Sequence, residues 1–107
     1  MEAKLAREFD IYVGCGDRPN ADDLLLQLGG FALGIGMPGF SRFEVQGGWV
    51  APTGEQIYDR VVVFRFLLPN SIEDFPWSIA AFSEEAKRLL EQEGILVVER
   101  IAGVALR

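Results

Sequence analysis

The sequence predicts an α+β fold in which four strands and two helices follow each other in the order βαββαβ. Three observations lead to this prediction. Apolar and polar residues alternate in several stretches, apolar residues recur at helical spacing in two others, and turns rich in glycine or proline separate them. With 107 residues, the chain has the length of one domain. We therefore expect residues 1–107 to form a single α+β domain.

The first and third predicted strands have the clearest patterns. Residues 8–15 alternate, and the apolar positions on one side are Phe9, Ile11, Val13 and Cys15. Residues 57–68 are rich in β-branched and aromatic residues on both sides, with Phe64 and Phe66 on one face and Arg65 on the other. A strand that is apolar on both faces is typical of the centre of a sheet, so we expect Phe64 and Phe66 to be buried under the helices.

The second and fourth strands are predicted over residues 40–50 and 95–106. Residues 51–55 form a hairpin loop between the second and third strands, with Gly54 supplying a positive φ. No repeat and no long linker interrupts this order.

Two stretches are predicted to be helices. The first begins after Asn20, its N-cap, and continues at least to Leu28, where Gly29-Gly30 weakens or ends it. The second has Asp74 as its N-cap and Gly94 just beyond its C-terminus. An alternative is a different α+β arrangement in which the first helix breaks at Gly29-Gly30.

With right-handed crossovers and one hairpin, this order of elements gives a ferredoxin-like sandwich. Its sheet has four antiparallel strands in the order 4-1-3-2, with both helices on one face. Four short motifs resemble those of short bacterial ferredoxin-like proteins of unknown function; they are Ile11-Tyr12-Val13-Gly14, Gly39-Phe40, Gly48-Trp49 and Gln92-Glu93-Gly94. Residues 29–39 depart from that resemblance. The shape is also similar to small PII and ACT regulators, without their signature motifs. The resemblance implies a fold and carries no established chemistry.

Composition excludes several classes of function. The net charge of −6 is opposite to that of a protein that neutralises phosphates, so no nucleic-acid partner is expected. Without histidine, neither a histidine-dependent triad nor a histidine-ligated zinc site can form. A single cysteine excludes an intrachain disulfide, and Cys15, on the apolar side of its strand, is expected to be buried and inert. We expect no cofactor, no metal, no membrane partner and a cytoplasmic location.

Hydrophobic residues make up 50% of the chain, which is high for a domain with so little interior. This surplus indicates either a covered subunit interface or an apolar pocket. We expect a homo-oligomer, with a dimer favoured, in which a second copy covers Val61, Val63 and the apolar residues of the last strand. A small molecule or another protein is the further partner.

A candidate ligand site lies where the first strand ends beside the second and third strands. The topology brings Arg18, Trp49, Tyr58 and Asp59 to this edge. We expect Arg18 to meet an anionic group, the two aromatic rings to stack or pack on the ligand, and Asp59 to accept hydrogen bonds.

Two functions follow from these patterns. The first is a non-enzymatic, homo-oligomeric module that binds a small molecule or a protein, because the sequence lacks a catalytic constellation. The alternative is a small dimeric α+β barrel-type enzyme that uses carboxylate acid–base chemistry in a cavity between subunits. A carboxyl group with a raised pKa in a closed cavity would favour the enzyme.

Overall fold

The structure of the chain is a computed structural model that describes residues 4–105. Its elements in chain order are β1 (Lys4–Gly14), α1 (Ala21–Gly34), β2 (Ser41–Val50), β3 (Gln56–Leu68), α2 (Trp77–Leu90) and β4 (Leu96–Val104). The strands form one antiparallel sheet in the order β2-β3-β1-β4. The ferredoxin-like fold predicted from the sequence is therefore confirmed.

The core lies between one face of the sheet and the two helices. Phe9 pairs with Phe66 and Ile11 with Phe64 across β1 and β3, and all four side chains are fully buried. Phe82 of α2 packs against both β3 phenylalanines, with ring centroids 5.1 Å from Phe64 and 4.9 Å from Phe66. The predicted burial of Phe64 and Phe66 is confirmed, since period-2 alternation places both on the helix side.

The first helix does not break at Gly29-Gly30, so the alternative arrangement is wrong. Gly29 is buried, and a Cβ atom there would lie 2.8 Å from the Cζ atom of Phe40. The glycine permits close packing inside the helix and does not end it. The chain leaves the helix after Gly34, and Gly36 takes the positive φ of 92° that turns it away.

The helix starts differ from the capping pattern in the sequence. Asn20 is the N-cap of α1 as predicted, although its side chain makes no capping hydrogen bond. Asp74, predicted as the N-cap of α2, lies outside that helix, which begins at Trp77 after Pro76. A carboxylate oxygen of Glu73 accepts the Trp77 N–H at 2.7 Å, so a carboxylate four residues earlier takes the role of the cap.

The second helix also ends before Gly94. The last helical residue is Leu90, and Glu91 adopts the left-handed conformation with φ of 52°. The Gln92 N–H then bonds to the Lys87 carbonyl at 3.0 Å, which is the closure expected when the residue after the helix is left-handed. The prediction that Gly94 takes this position is therefore wrong.

The first strand begins earlier than predicted, at Lys4, because it pairs with β4 from Lys4 opposite Val104. The last strand begins at Leu96 and ends at Val104; residue 106, to which it was predicted to run, lies outside the described residues. Neither helix in the described part of the chain is long and apolar enough to cross a membrane.

The β2–β3 hairpin projects beyond the rest of the sheet. The pairing of β1 with β3 ends at Gly14 opposite Val61, whereas β2 and β3 stay paired through residues 46–50 and 56–60. We call this two-stranded projection the arm. At its tip Gly54 has φ of 87°, as the predicted hairpin loop requires. The arm contributes to the elongated outline of the described chain, 51 × 28 × 26 Å.

Removing either central phenylalanine should destabilise the fold strongly. Phe64→Ala and Phe66→Ala should each lower the free energy of unfolding by about 3–5 kcal/mol, because each leaves a cavity in a packed core. Leu26→Ala is the control, since that side chain is 67% exposed on α1 and its loss should change stability little. Urea denaturation checks this; equal midpoints for all three variants would contradict the packing described here.

Candidate functional site

A cleft of about 420 Å³ lies at the root of the arm, where β2 and β3 leave the sheet beside the end of β1. We call it the acidic cleft. Its lining residues are Asp17, Glu44, Val45, Gln46, Tyr58, Asp59 and Arg60. The Cys15 N–H bonds to the Arg60 carbonyl at 2.9 Å and fixes the turn that carries Asp17 against β3. The volume falls within the range of small-molecule sites.

The single guanidinium in this lining is held by carboxylates. Arg60 donates to Asp22 of α1 at 2.9 Å and to Glu44 of β2 at 2.5 Å, and these two hydrogen bonds raise the pKa of Arg60. No basic side chain of the described residues lies within salt-bridge distance of Asp17 or Asp59. The cleft therefore presents two carboxylates, those of Asp17 and Asp59, that have no cationic partner within the described residues.

Asp59 lies close to the backbone of the first turn. A Cβ atom on Gly14 would be 3.2 Å from a carboxylate oxygen of Asp59 and 2.8 Å from the side-chain oxygen of Gln92. Gly16, with φ of 56°, faces the same carboxylate. Glycine at position 14 thus leaves room for the carboxylate of Asp59 against the end of β1, and glycine at position 16 provides the positive φ of the turn.

The structure brings some of the predicted site residues together and separates others. Tyr58 and Asp59 both line the acidic cleft. Trp49 lines a neighbouring hollow of about 280 Å³ on the arm, which Tyr58 also borders. Arg18 lines neither cavity, and its guanidinium pairs with Glu91 at 3.2 Å.

Sequence reasoning missed Arg60, the cation that the cleft contains. The signal was present: Arg60 and Tyr58 are two residues apart on the same predicted strand and share a face. Its partners Asp22 and Glu44 come from two other elements, however, and only the assembled fold brings them within reach.

A second charged site lies in the middle of the sheet face that the helices leave open. Asp10 is only 1% exposed, and its two carboxylate oxygens accept from Arg65 at 2.7 and 2.9 Å. Arg100 donates to Asp10 at 2.9 Å and to Glu8 at 2.6 Å. We call these four residues the open-face cluster. It links β3, β1 and β4 through side chains.

The open-face cluster was also missed, because alternation assigned Asp10 to the polar side of β1. The available signal was Arg65 on the otherwise apolar face of the third strand. The predicted strand order made the first and third strands neighbours, and the structure pairs Arg65 with Asp10 across them. Hydrogen bonds from Arg65 lower the pKa of Asp10, and hydrogen bonding from Arg100 lowers it further. Desolvation acts in the opposite direction, but the net pKa is lowered. A carboxylate held ionised in this way is a structural ion-pair partner.

The predicted burial of Cys15 is confirmed, since its side chain is fully enclosed. Desolvation raises the pKa of the thiol, which keeps it protonated and poorly nucleophilic.

No protein-family model matches the sequence, and no curated protein matches it. Among the solved structures with a similar fold are two of a phage SAM lyase and one of GlnK. A phage SAM lyase in complex with S-methyl-5'-thioadenosine superposes with a TM-score of 0.71 at 18% identity, covering 94% of this chain and 90% of that one. A phage SAM lyase in its apo state superposes with a TM-score of 0.69 at 18% identity, covering 97% of this chain and 90% of that one. The B. subtilis GlnK–ATP complex superposes with a TM-score of 0.56 at 18% identity, covering 90% of this chain and 82% of that one.

At this identity the likeness shows a shared fold. The PII-like shape predicted from the sequence is confirmed by the similarity to GlnK. Two of the three similar structures hold a ligand built on adenosine, S-methyl-5'-thioadenosine in the lyase and ATP in GlnK.

The open-face cluster should make stability depend on pH. The pKa of Asp10 is lower in the folded protein than its ordinary value of 3.8, so the ionised carboxylate stabilises the fold at pH values above 3.8. This stabilisation is lost as the pH falls through the lowered pKa and Asp10 takes up a proton. Asp10→Asn should therefore cost about 1–3 kcal/mol near neutral pH and flatten the loss of stability between about pH 5 and pH 2.

The control for this prediction is Asp23→Asn, which removes an exposed carboxylate of α1. Denaturation midpoints measured across this pH range check it. If the profile of Asp10→Asn runs parallel to that of the unmodified protein, the ion pairs of Asp10 do not stabilise the fold.

Proposed function

We propose that this chain binds an adenosine-containing small molecule that carries positive charge, of the S-adenosylmethionine type, in the acidic cleft. The observation that carries the proposal is the pair of carboxylates, Asp17 and Asp59, that line this cleft without a basic partner in the described chain. Two proteins of similar fold hold ligands that contain adenosine, and this supports the proposal that the ligand of this chain contains adenosine.

Charge selects among the adenosine ligands. The cleft is lined by three carboxylates, from Asp17, Glu44 and Asp59, and by the guanidinium of Arg60. ATP carries several negative charges, which this lining repels. S-adenosylmethionine carries a sulfonium and an ammonium against one carboxylate, so its net charge is positive and complements the cleft.

The predicted site residues have distinct roles in this proposal. Tyr58, an exposed ring at the cleft wall, stacks on the adenine, and Asp59 accepts hydrogen bonds from the cationic or hydroxyl groups of the ligand. Trp49 extends the aromatic surface along the arm. Arg18 lies outside the lining of the cleft, so it meets the carboxylate of the ligand by exchanging its weak surface pair with Glu91.

We propose further that the protein acts as a homo-oligomer in which a second copy covers the open sheet face. Val63 is already buried within the single chain, but Phe43, Leu67 and Leu96 on this face remain exposed. Among the described residues no third strand pairs with the arm, and a lone two-stranded hairpin is marginally stable in water. A neighbouring subunit would supply the missing cover.

A lyase acting on the same ligand class is the second candidate, favoured by the likeness to the phage SAM lyase. The carboxylate of the ligand's own amino-acid chain can attack the carbon that bears the sulfonium. A carbon–oxygen bond then forms and closes a lactone while the carbon–sulfur bond breaks, and the sulfur departs as a neutral thioether that needs no proton donor. A chain without histidine is compatible with such a reaction. Chromatography after incubation with S-adenosylmethionine separates the candidates, since S-methyl-5'-thioadenosine forms faster than in a protein-free control only if the chain is a lyase of this kind.

Ligand binding is tested by isothermal titration with S-adenosylmethionine and S-adenosylhomocysteine, which differ by the methyl group and charge of the sulfonium. The first should bind more tightly, and Asp59→Asn should weaken it about tenfold, which equals about 1.4 kcal/mol. The control Asp23→Asn, outside the cleft, should leave binding unchanged. Absence of binding by both ligands, or a preference for ATP, contradicts the proposal.

Assembly is tested by light scattering at micromolar concentration. The mass should be a multiple of 11.9 kDa, and Leu96→Lys should shift it toward the monomer by placing a charge on the covered face. Leu26→Lys, at an equally exposed position on α1, should not. A monomer of the unmodified protein contradicts the homo-oligomer and leaves the ligand proposal standing.

A further inference from the structure

A group of exposed apolar side chains lies at the opposite end of β1 from the acidic cleft. Its members are Leu5, Ile72, Phe75, Trp77 and Ile101, and we call them the end patch. Ile72 is 96% exposed and Trp77 61% exposed. Trp and Phe side chains are large, and such residues are enriched at protein–protein contacts. The ligand proposal uses none of these residues.

Arg7 holds the end patch together. Its guanidinium donates to the carbonyls of Glu73 and Asp74 and pairs with Glu99 at 2.8 Å. Arg7 lies opposite Ile101 in the pairing of β1 with β4, so the loop carrying Ile72 and Phe75 is fastened beside that strand. The edge of Phe75 also packs on Phe9, with centroids 6.3 Å apart. The patch is thus presented on a fixed surface.

The charge around the end patch is negative. Glu73 and Asp74 are exposed within the loop, while Arg7 is neutralised by Glu99. A surface of this kind repels anionic lipid and the same acidic loop of a second copy. It attracts a segment that carries lysine or arginine.

The size of the end patch limits the occupant. From typical side-chain areas it exposes on the order of 500 Å² of apolar surface, at the upper end for a monomer. A standard protein interface needs about 800 Å² from each partner. The patch therefore suits a short segment better than a complete folded face.

We infer that the end patch is a docking surface for a short segment of another protein, in which leucine or aromatic side chains alternate with lysine or arginine. Apolar side chains of this segment pack on Ile72 and Trp77, and its cations pair with Glu73 and Asp74. The inference does not depend on the identity of the ligand in the acidic cleft.

Selection from a random twelve-residue peptide library displayed on phage tests the inference. The purified protein is the bait, and binders of the Ile72→Ser variant are removed. Enriched peptides should combine basic and large apolar residues. As synthetic peptides they should lose at least tenfold in affinity on Ile72→Ser and on Trp77→Ser, and about threefold on Asp74→Asn at low salt. Leu26→Ser, an exposed leucine elsewhere, should have no effect.

Several results would overturn the inference. These are failure to enrich any peptide, enrichment of acidic peptides, and equal affinity for the Ile72→Ser and unmodified proteins. Light scattering that shows self-association lost on Ile72→Ser would assign the patch to a second copy. If the protein sediments with phosphatidylcholine or phosphatidylserine vesicles and Ile72→Ser abolishes this, the end patch binds a membrane. Ile72 is almost fully exposed, so its replacement leaves the fold intact, which circular dichroism verifies.

Discussion

The buried carboxylate of Asp10 is the constraint on which the open side of the sheet depends. A charge with 1% exposure is stable only if it is paired, and Arg65 and Arg100 approach it from the two neighbouring strands. These ion pairs place a charged cluster at the centre of the open sheet face, which is otherwise largely apolar. A partner on this face must accommodate an ion-pair cluster, so the same residues that stabilise the sheet also restrict which surface can cover it.

The acidic cleft has a different origin, the unequal length of the strands. Because β1 stops at Gly14 while β2 and β3 continue, side chains at the root of the arm face a space that no strand fills. Asp59 and Asp17 both line it, and Arg60 is held at one side by Asp22 and Glu44. The unequal strand lengths thus set the position of the cleft, and the particular residues set its charge.

Alternation predicted the burial of Phe64 and Phe66, since which face of a strand a side chain takes depends on local period. The order of the elements, together with right-handed crossovers and one hairpin, predicted the strand order. Features that depend on contacts between distant elements were predicted poorly. Gly29 was interpreted as weakening or ending the first helix, but it lies inside α1, where the ring of Phe40 packs close to it. Asp10 was placed only on the side of β1 opposite the apolar residues, and its enclosure by Arg65 and Arg100 was not predicted. Of the candidate site, Tyr58 and Asp59 line one cleft, while Arg18 turns toward Glu91 because the end of α2 lies within its reach.

The most direct test of the account is a titration of the isotope-labelled protein with S-adenosylmethionine, followed by backbone amide shifts in nuclear magnetic resonance spectra. If the ligand binds in the acidic cleft, the largest shifts fall on Asp17, Gln46 and residues 58–60, which line it. The amides of the end patch should not move. Shifts that spread evenly over the sheet, that concentrate away from the arm, or that are absent at millimolar ligand would contradict it.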